Sequence, residues 1–189
     1  MADQKISELT EKTVIVADDL LAIVDSEASP IETKKVKRSN LVGFNSRVRA
    51  YRSDSAQSIS NSTWTKMQLN SEDFDNLNEF DSTTNYRFTA TVASIYFGAL
   101  AAAILSVADG TFMGLSVRKN GAANGITDVF TTPGAAGDAG ISTPFIAALA
   151  ANDYLEFYVY QNSGSSKNLA YESVGRLTWM FIICLVRTG

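Results

Sequence analysis

Apolar and polar side chains alternate along much of this chain with the period of two that a strand imposes. In "YLEFYVYQ", Leu155, Phe157 and Val159 point one way and Tyr154, Glu156, Tyr158 and Tyr160 the other. Between Phe112 and Lys119, Met113, Leu115 and Val117 alternate with Gly114, Ser116 and Arg118. Strands are predicted at 47–53, 63–69, 86–92, 95–105, 112–119, 127–131, 142–149, 154–161 and 177–187. Glycine, asparagine, aspartate and serine clusters separate them, which points to an all-β sandwich or jelly roll.

Two stretches break the alternation. Ile95–Leu105 is apolar throughout and rich in alanine, and "LTWMFIICLVR" is apolar on both sides. Both are shorter than the roughly 20 apolar residues of a membrane-spanning helix. Alanine favours helix. However, the first run follows the strand formers Tyr86, Phe88, Thr89, Thr91 and Val92 and ends at Asp109-Gly110, a two-residue hairpin signal. A second turn is expected at Asn120-Gly121. We therefore read 95–105 as a strand covered on both faces, its alanines allowing close approach. In 177–187, Leu177, Trp179, Phe181, Ile183 and Leu185 form one face, and Met180, Ile182, Cys184 and Val186 the other. An antiparallel sandwich strand normally has one wet face. Two strands without one call for cover from neighbouring subunits. The tyrosines of 154–160 suit an interface in the same way.

The first 43 residues differ in texture. A polar start precedes a strand at 20–24, a turn at 26–30 and a second strand at 31–36 among Lys34, Lys35, Lys37 and Arg38. Two strands alone are marginal in water, so residues 1–43 form a separate module that needs a host, either its own copies in an oligomer or another protein's surface. Its basic cluster suits either a solvated strand edge or a docking patch. The N-terminus has no apolar h-region, so neither a signal peptide nor a membrane segment is expected.

Composition narrows the chemistry. The 189 residues include no histidine, which removes the commonest general base and transition-metal ligand. The one cysteine, Cys184, lies in an apolar run, and no phosphate-binding glycine loop is present. The stretch "SEDFDNLNEFD" offers Asp73, Asp75, Glu79 and Asp81 without the spacing of a calcium loop, and is read as a solvated loop. A net charge of −4 argues against a nucleic-acid partner. No enzyme, cofactor or metal site is expected.

"FDSTTNYRFTATVASIYFGALAAAI", "GLSVRKNG", "AALAANDYLEFYVYQ" and "LTWMFIICLV" together resemble the C1q/TNF-like domain. The matching residues are Tyr86, Phe88, Tyr96, Phe97, Lys119, Asn120, Gly121, Asp153, Leu155, Phe157, Trp179 and Phe181. Ser94 and Asn152 stand where the family often has glycine. The opening "YRSDSAQSISNSTWTKMQLNSEDFDNLNEFD" is similar to versions of this domain in tailed bacteriophages. The resemblance covers about 47–187 and implies a trimeric jelly-roll head over 47–189. Contacts between subunits are expected from Tyr96, Tyr154, Tyr158, Tyr160, Met180, Ile182 and Cys184.

"KISELTEKTVIVADDLLAIVDSEASPIETKKVKRSNLVG" resembles the N-terminal attachment module of phage virion proteins. That implies anchoring through Ile6, Leu9, Leu20, Leu21, Ile23 and Val24, with Lys34, Lys35 and Arg38 facing acidic groups on the particle. The expectation is a non-enzymatic homotrimeric knob on the virion surface, made in the host bacterial cytoplasm. It would be a capsid decoration or head-fibre protein held by the major capsid protein. The alternative is a short tail-fibre or spike tip, held by a tail protein, that binds a host glycan or protein.

Overall fold

The computed structural model describes residues 20–25, 32–37, 46–122, 125–171 and 177–187. The chain divides into two compact units, Met1–Gly43 and Phe44–Gly189. In the first, β1 (Leu20–Asp25) pairs antiparallel with β2 (Glu32–Lys37), in a register running from Leu20 opposite Lys37 to Asp25 opposite Glu32.

The second unit is built only of strands among the described residues. They are β3 (Arg47–Tyr51), β4 (Ser58–Ile59), β5 (Thr65–Lys66), β6 (Ser71–Asp75), β7 (Phe80–Asp81), β8 (Arg87–Thr89), β9 (Ser94–Val107), β10 (Met113–Lys119), β11 (Thr127–Thr131), β12 (Gly137–Leu149), β13 (Tyr154–Gln161), β14 (Lys167–Leu169) and β15 (Trp179–Arg187). Two antiparallel sheets result. In the first, β9 lies between β12 on one side and β15 and β14 on the other, β3 and β6 follow β15, and β4 follows β14. The second has the order β11-β10-β13-β8-β7, with β5 also pairing β13.

From β8 onward the chain changes sheet at nearly every connection, the crossing pattern of a jelly roll. This corrects the reading of Asp109-Gly110. The turn forms, with Gly110 at a φ of +75°, but the strands it joins lie in different sheets. It is a corner rather than a hairpin tip. The Asn120-Gly121 turn does join two paired strands, β10 and β11.

The period of two sorts the side chains. Met113, Leu115 and Val117 on β10, and Leu155, Phe157 and Val159 on β13, point inward from the second sheet. Tyr96, Leu100, Ala102 and Ile104 on β9, with Met180 and Ile182 on β15, meet them from the first. Two predicted elements differ. The expected strand at 63–69 contracts to β5, because Met67 and Leu69 leave the sheet line to fill the core. The acidic stretch is partly strand rather than loop, with β6 pairing β3 and β7 pairing β8. β14 went unpredicted, being three residues with one apolar side chain, Leu169.

Candidate subunit interface

The outward face of the first sheet is where the alternation fails to give a polar surface. On β15, Trp179, Phe181, Ile183 and Leu185 alternate with the core residues and so face out. Pairing sets them beside the outward residues of β9: Trp179 opposite Ala101, Phe181 opposite Ala99, Ile183 opposite Phe97. On the other side of β9, Ile146 of β12 lies opposite Phe97 and Pro144 opposite Ala99. Phe97 and Phe181 meet edge to face at 5.8 Å, and Trp179 stacks on Phe181 at 6.1 Å. Ile146, 64% exposed, protrudes furthest.

A polar border runs along β3 and β6. Arg49 pairs with Asp73 at 2.5 Å and lies 5.9 Å from the Trp179 ring centre. Arg47 donates to Asn76 at 3.0 Å. Beyond Trp179, the small side chains of β9 and β12 open a shallow hollow of about 410 Å³, lined by Ala101, Ala103, Gly140, Ile141, Leu177 and Trp179 among others. An apolar centre with a charged border is the anatomy of a protein interface.

The residues predicted for subunit contact fall elsewhere. Tyr96, Met180, Ile182 and Cys184 are core residues of the single chain, at most 5% exposed. The 177–187 stretch is apolar on both faces, so alternation alone could not say which face was inward. Pairing with β9 and β3 decides it. The Tyr96 hydroxyl donates to the Val92 carbonyl at 2.9 Å, and burial, with Glu79 and Cys184 nearby, pushes its pKa up to about 12. Glu79, 3% exposed, accepts from the Ser46 hydroxyl at one oxygen and from the Thr91 amide and hydroxyl at the other, so both oxygens of this buried side chain are satisfied.

Tyr154, Tyr158 and Tyr160 do face outward, on the second sheet, but the chain itself covers them. Arg87 lies over Tyr154 at 4.3 Å, Arg118 over Tyr158 at 4.2 Å, and Trp64 against Tyr160 at 5.4 Å. The Tyr158 hydroxyl donates to Glu156 at 3.2 Å, and burial followed by that carboxylate raises its pKa. Lys66 closes the row with a 2.5 Å ion pair to Glu156. Part of the cover these tyrosines call for thus comes from the chain itself, which leaves all three half-buried. Phe112 (39% exposed) and Phe130 (46%), stacked at 4.7 Å, stay open at the β11 edge, as does Ile126 just before it.

Among the described residues no group of acidic or thiol side chains could hold a metal ion. The aspartates of the 71–81 stretch are spent on the protein: Asp73 on Arg49, Asp75 on the Leu77 and Phe80 amides, and Asp81 on the 83–85 turn, whose amide bonds, chiefly from Thr84, hold its carboxyl far below the usual range. Of the predicted anchor residues, Ile6, Leu9 and Arg38 lie outside the described residues. Leu20, Leu21, Ile23 and Val24 are on β1, and Lys34 and Lys35 on β2, with Ile23 opposite Lys34.

Solved structures share this architecture. Eiger TNF from S. frugiperda superposes with a TM-score of 0.57 at 9% identity, covering 77% of this chain and 95% of that one. The fold is a C1q/TNF-like jelly roll. The globular domain of zebrafish complement 1qA protein superposes at 0.53 with 12% identity, over 76% of this chain and 99% of that one. Murine APRIL does so at 0.56 with 12% identity, over 74% and 98%. No protein-family model and no curated protein sequence matches the chain. At such identities the C1q/TNF likeness is one of backbone fold.

Proposed function

We propose that the protein is a non-enzymatic, homotrimeric knob on a bacteriophage virion, a capsid decoration or head-fibre protein whose first unit attaches it to the major capsid protein. One observation carries the trimer: the outward face of Phe97, Trp179, Phe181, Ile183 and Leu185 is apolar, and among the described residues it stays half-buried to exposed. Its charged border on β3 and β6 fits a bounded contact with a second copy better than open solvent. The family resemblance of 47–187 favours three copies. The resemblance of residues 1–43 to phage attachment modules supports the virion setting, and the short passage between the two units favours a knob over a far-reaching fibre.

The test is to delete residues 1–43, purify the head, and mix it with particles lacking the protein. The expected result is a folded trimer that does not bind the particle. Full occupancy by the truncated head would place attachment in the jelly roll and reverse the orientation. A second reading, a tail-tip that binds a host glycan or protein, draws on Phe112 and Phe130, which stay exposed on the sheet opposite the proposed contact. Copy number on the particle separates the two: many trimers over the head for decoration, a few at the tail for receptor binding.

A further inference from the structure

Lys119-Asn120-Gly121 caps the β10–β11 hairpin. Asparagine before glycine is chemically fragile, because no side chain shields the glycine nitrogen from the asparagine carboxamide. The Gly121 nitrogen can attack Asn120 Cγ, forming a ring C–N bond as the bond to the carboxamide nitrogen breaks and ammonia leaves. Water then opens the succinimide to aspartate or isoaspartate. One water is consumed and one ammonia released, with no change of oxidation state.

The fold places an obstacle in this path. The Ala122 amide donates to the Lys119 carbonyl at 3.0 Å, and Asn120 and Gly121 have φ of +52° and +70°, a tight turn with both central residues left-handed. The Asn120 carboxamide is held at both atoms. Its Nδ2 donates to Asp153 Oδ1 at 2.7 Å, and its Oδ1 accepts from the Tyr154 amide at 2.8 Å. The Asn120 amide itself donates to the Tyr154 carbonyl at 3.0 Å. Asp153 is anchored in turn by Lys119 Nζ at 2.7 Å and the Ala150 amide at 2.8 Å.

We propose that Asn120 is a latent deamidation site and that Asp153 guards it, holding the carboxamide turned away from the Gly121 nitrogen. Attack requires breaking both carboxamide bonds, one of them charge-assisted. Hydrogen bonds from Lys119 and Asn120 hold the Asp153 pKa at about 2, so the guard stays ionised wherever the reaction runs. Once deamidation occurs, the donor becomes a second carboxylate facing Asp153. Like charges at that distance would part the 119–122 and 150–153 loops.

The test follows mass gain at the Asn120 peptide during incubation of the folded full chain at mildly alkaline pH. Asp153→Ala should deamidate at least about tenfold faster than wild type, the weight of one charge-assisted hydrogen bond. Lys119→Met removes the ion pair but keeps the Asn120–Asp153 bond, and should stay near the wild-type rate. Equal rates in wild type and Asp153→Ala would overturn the guard. So would a Lys119→Met rate matching that of Asp153→Ala, since general loosening of the loops would then explain both.

Discussion

Tyr96 was expected at a subunit contact and is instead fully buried, its hydroxyl spent on the Val92 carbonyl. Its environment makes a testable statement about alkaline stability. The folded pKa of about 12 lies above the ordinary 10.0, so folding favours the protonated phenol. That contribution is fully present below about pH 10 and is lost as the pH rises towards 12. Tyr158 is shifted in the same direction and adds to the trend. Tyr96→Phe should therefore melt less steeply with pH in this window. Near neutrality it should be less stable by about 1 kcal/mol, for the lost hydrogen bond. Melting temperature against pH reads both effects. Identical alkaline slopes in the two proteins would assign the titration to another group.

Two glycines show how strands are brought together in the two sheets. A Cβ at Gly98 on β9 would lie 2.5 Å from the Phe181 carbonyl oxygen and would also run into the Phe145 ring. The carbonyl belongs to the neighbouring strand and cannot move without the ladder. At Gly114 on β10 the obstacles are rings, Phe130 at 2.7 Å and Trp64 at 3.0 Å. These side chains lie on the sheet surface and can swing outward. Gly98→Ala should cost about 3 kcal/mol, at the upper end for overpacking, and Gly114→Ala about 1 kcal/mol. Gly114→Ala should also alter tryptophan fluorescence, since Trp64 rests on that position. Chemical denaturation of both variants checks the order. Equal costs would mean that the first sheet can spread as readily as the Trp64 cover.

In the proposed trimer, neighbouring residues of β15 have opposite roles. Ile182 is in the core and Phe181 on the outward face. Ile182→Asp buries an unpaired charge within one chain and should unfold the head, a loss of several kcal/mol. Phe181→Asp places its charge at the contact between copies. It should leave a folded monomer, with near-native circular dichroism and one third of the wild-type mass by light scattering. A wild-type oligomer in Phe181→Asp would move the contact off this face. Unfolding of both variants to the same extent would mean that the head has no stable free monomer.

Local pattern determined a good deal of this protein. Strand periodicity marked β10, β11 and β13 nearly to the residue, and it identified the inward row Leu155, Phe157 and Val159, because a polar partner row stood opposite. The all-β class and the double apolar character of 95–105 and 177–187 were legible in the same way. Where both rows were apolar, as in β15, sequence carried no sign of direction. Only pairing with β9 and β3 sent Met180, Ile182 and Cys184 inward and Trp179, Phe181 and Ile183 outward. The cover over Tyr154, Tyr158 and Tyr160 comes from Arg87, Arg118, Lys66 and Trp64, all of them distant from the tyrosines in sequence and none marked by any period. Asp109-Gly110 illustrates the same limit: its dipeptide specifies a reversal, while the sheet that receives the next strand is chosen by which surface buries Met113, Leu115 and Val117. Periodicity is a property of neighbours along the chain. Which face is inside, and what covers the other, is decided by long-range pairing that buries one apolar row and leaves its twin exposed.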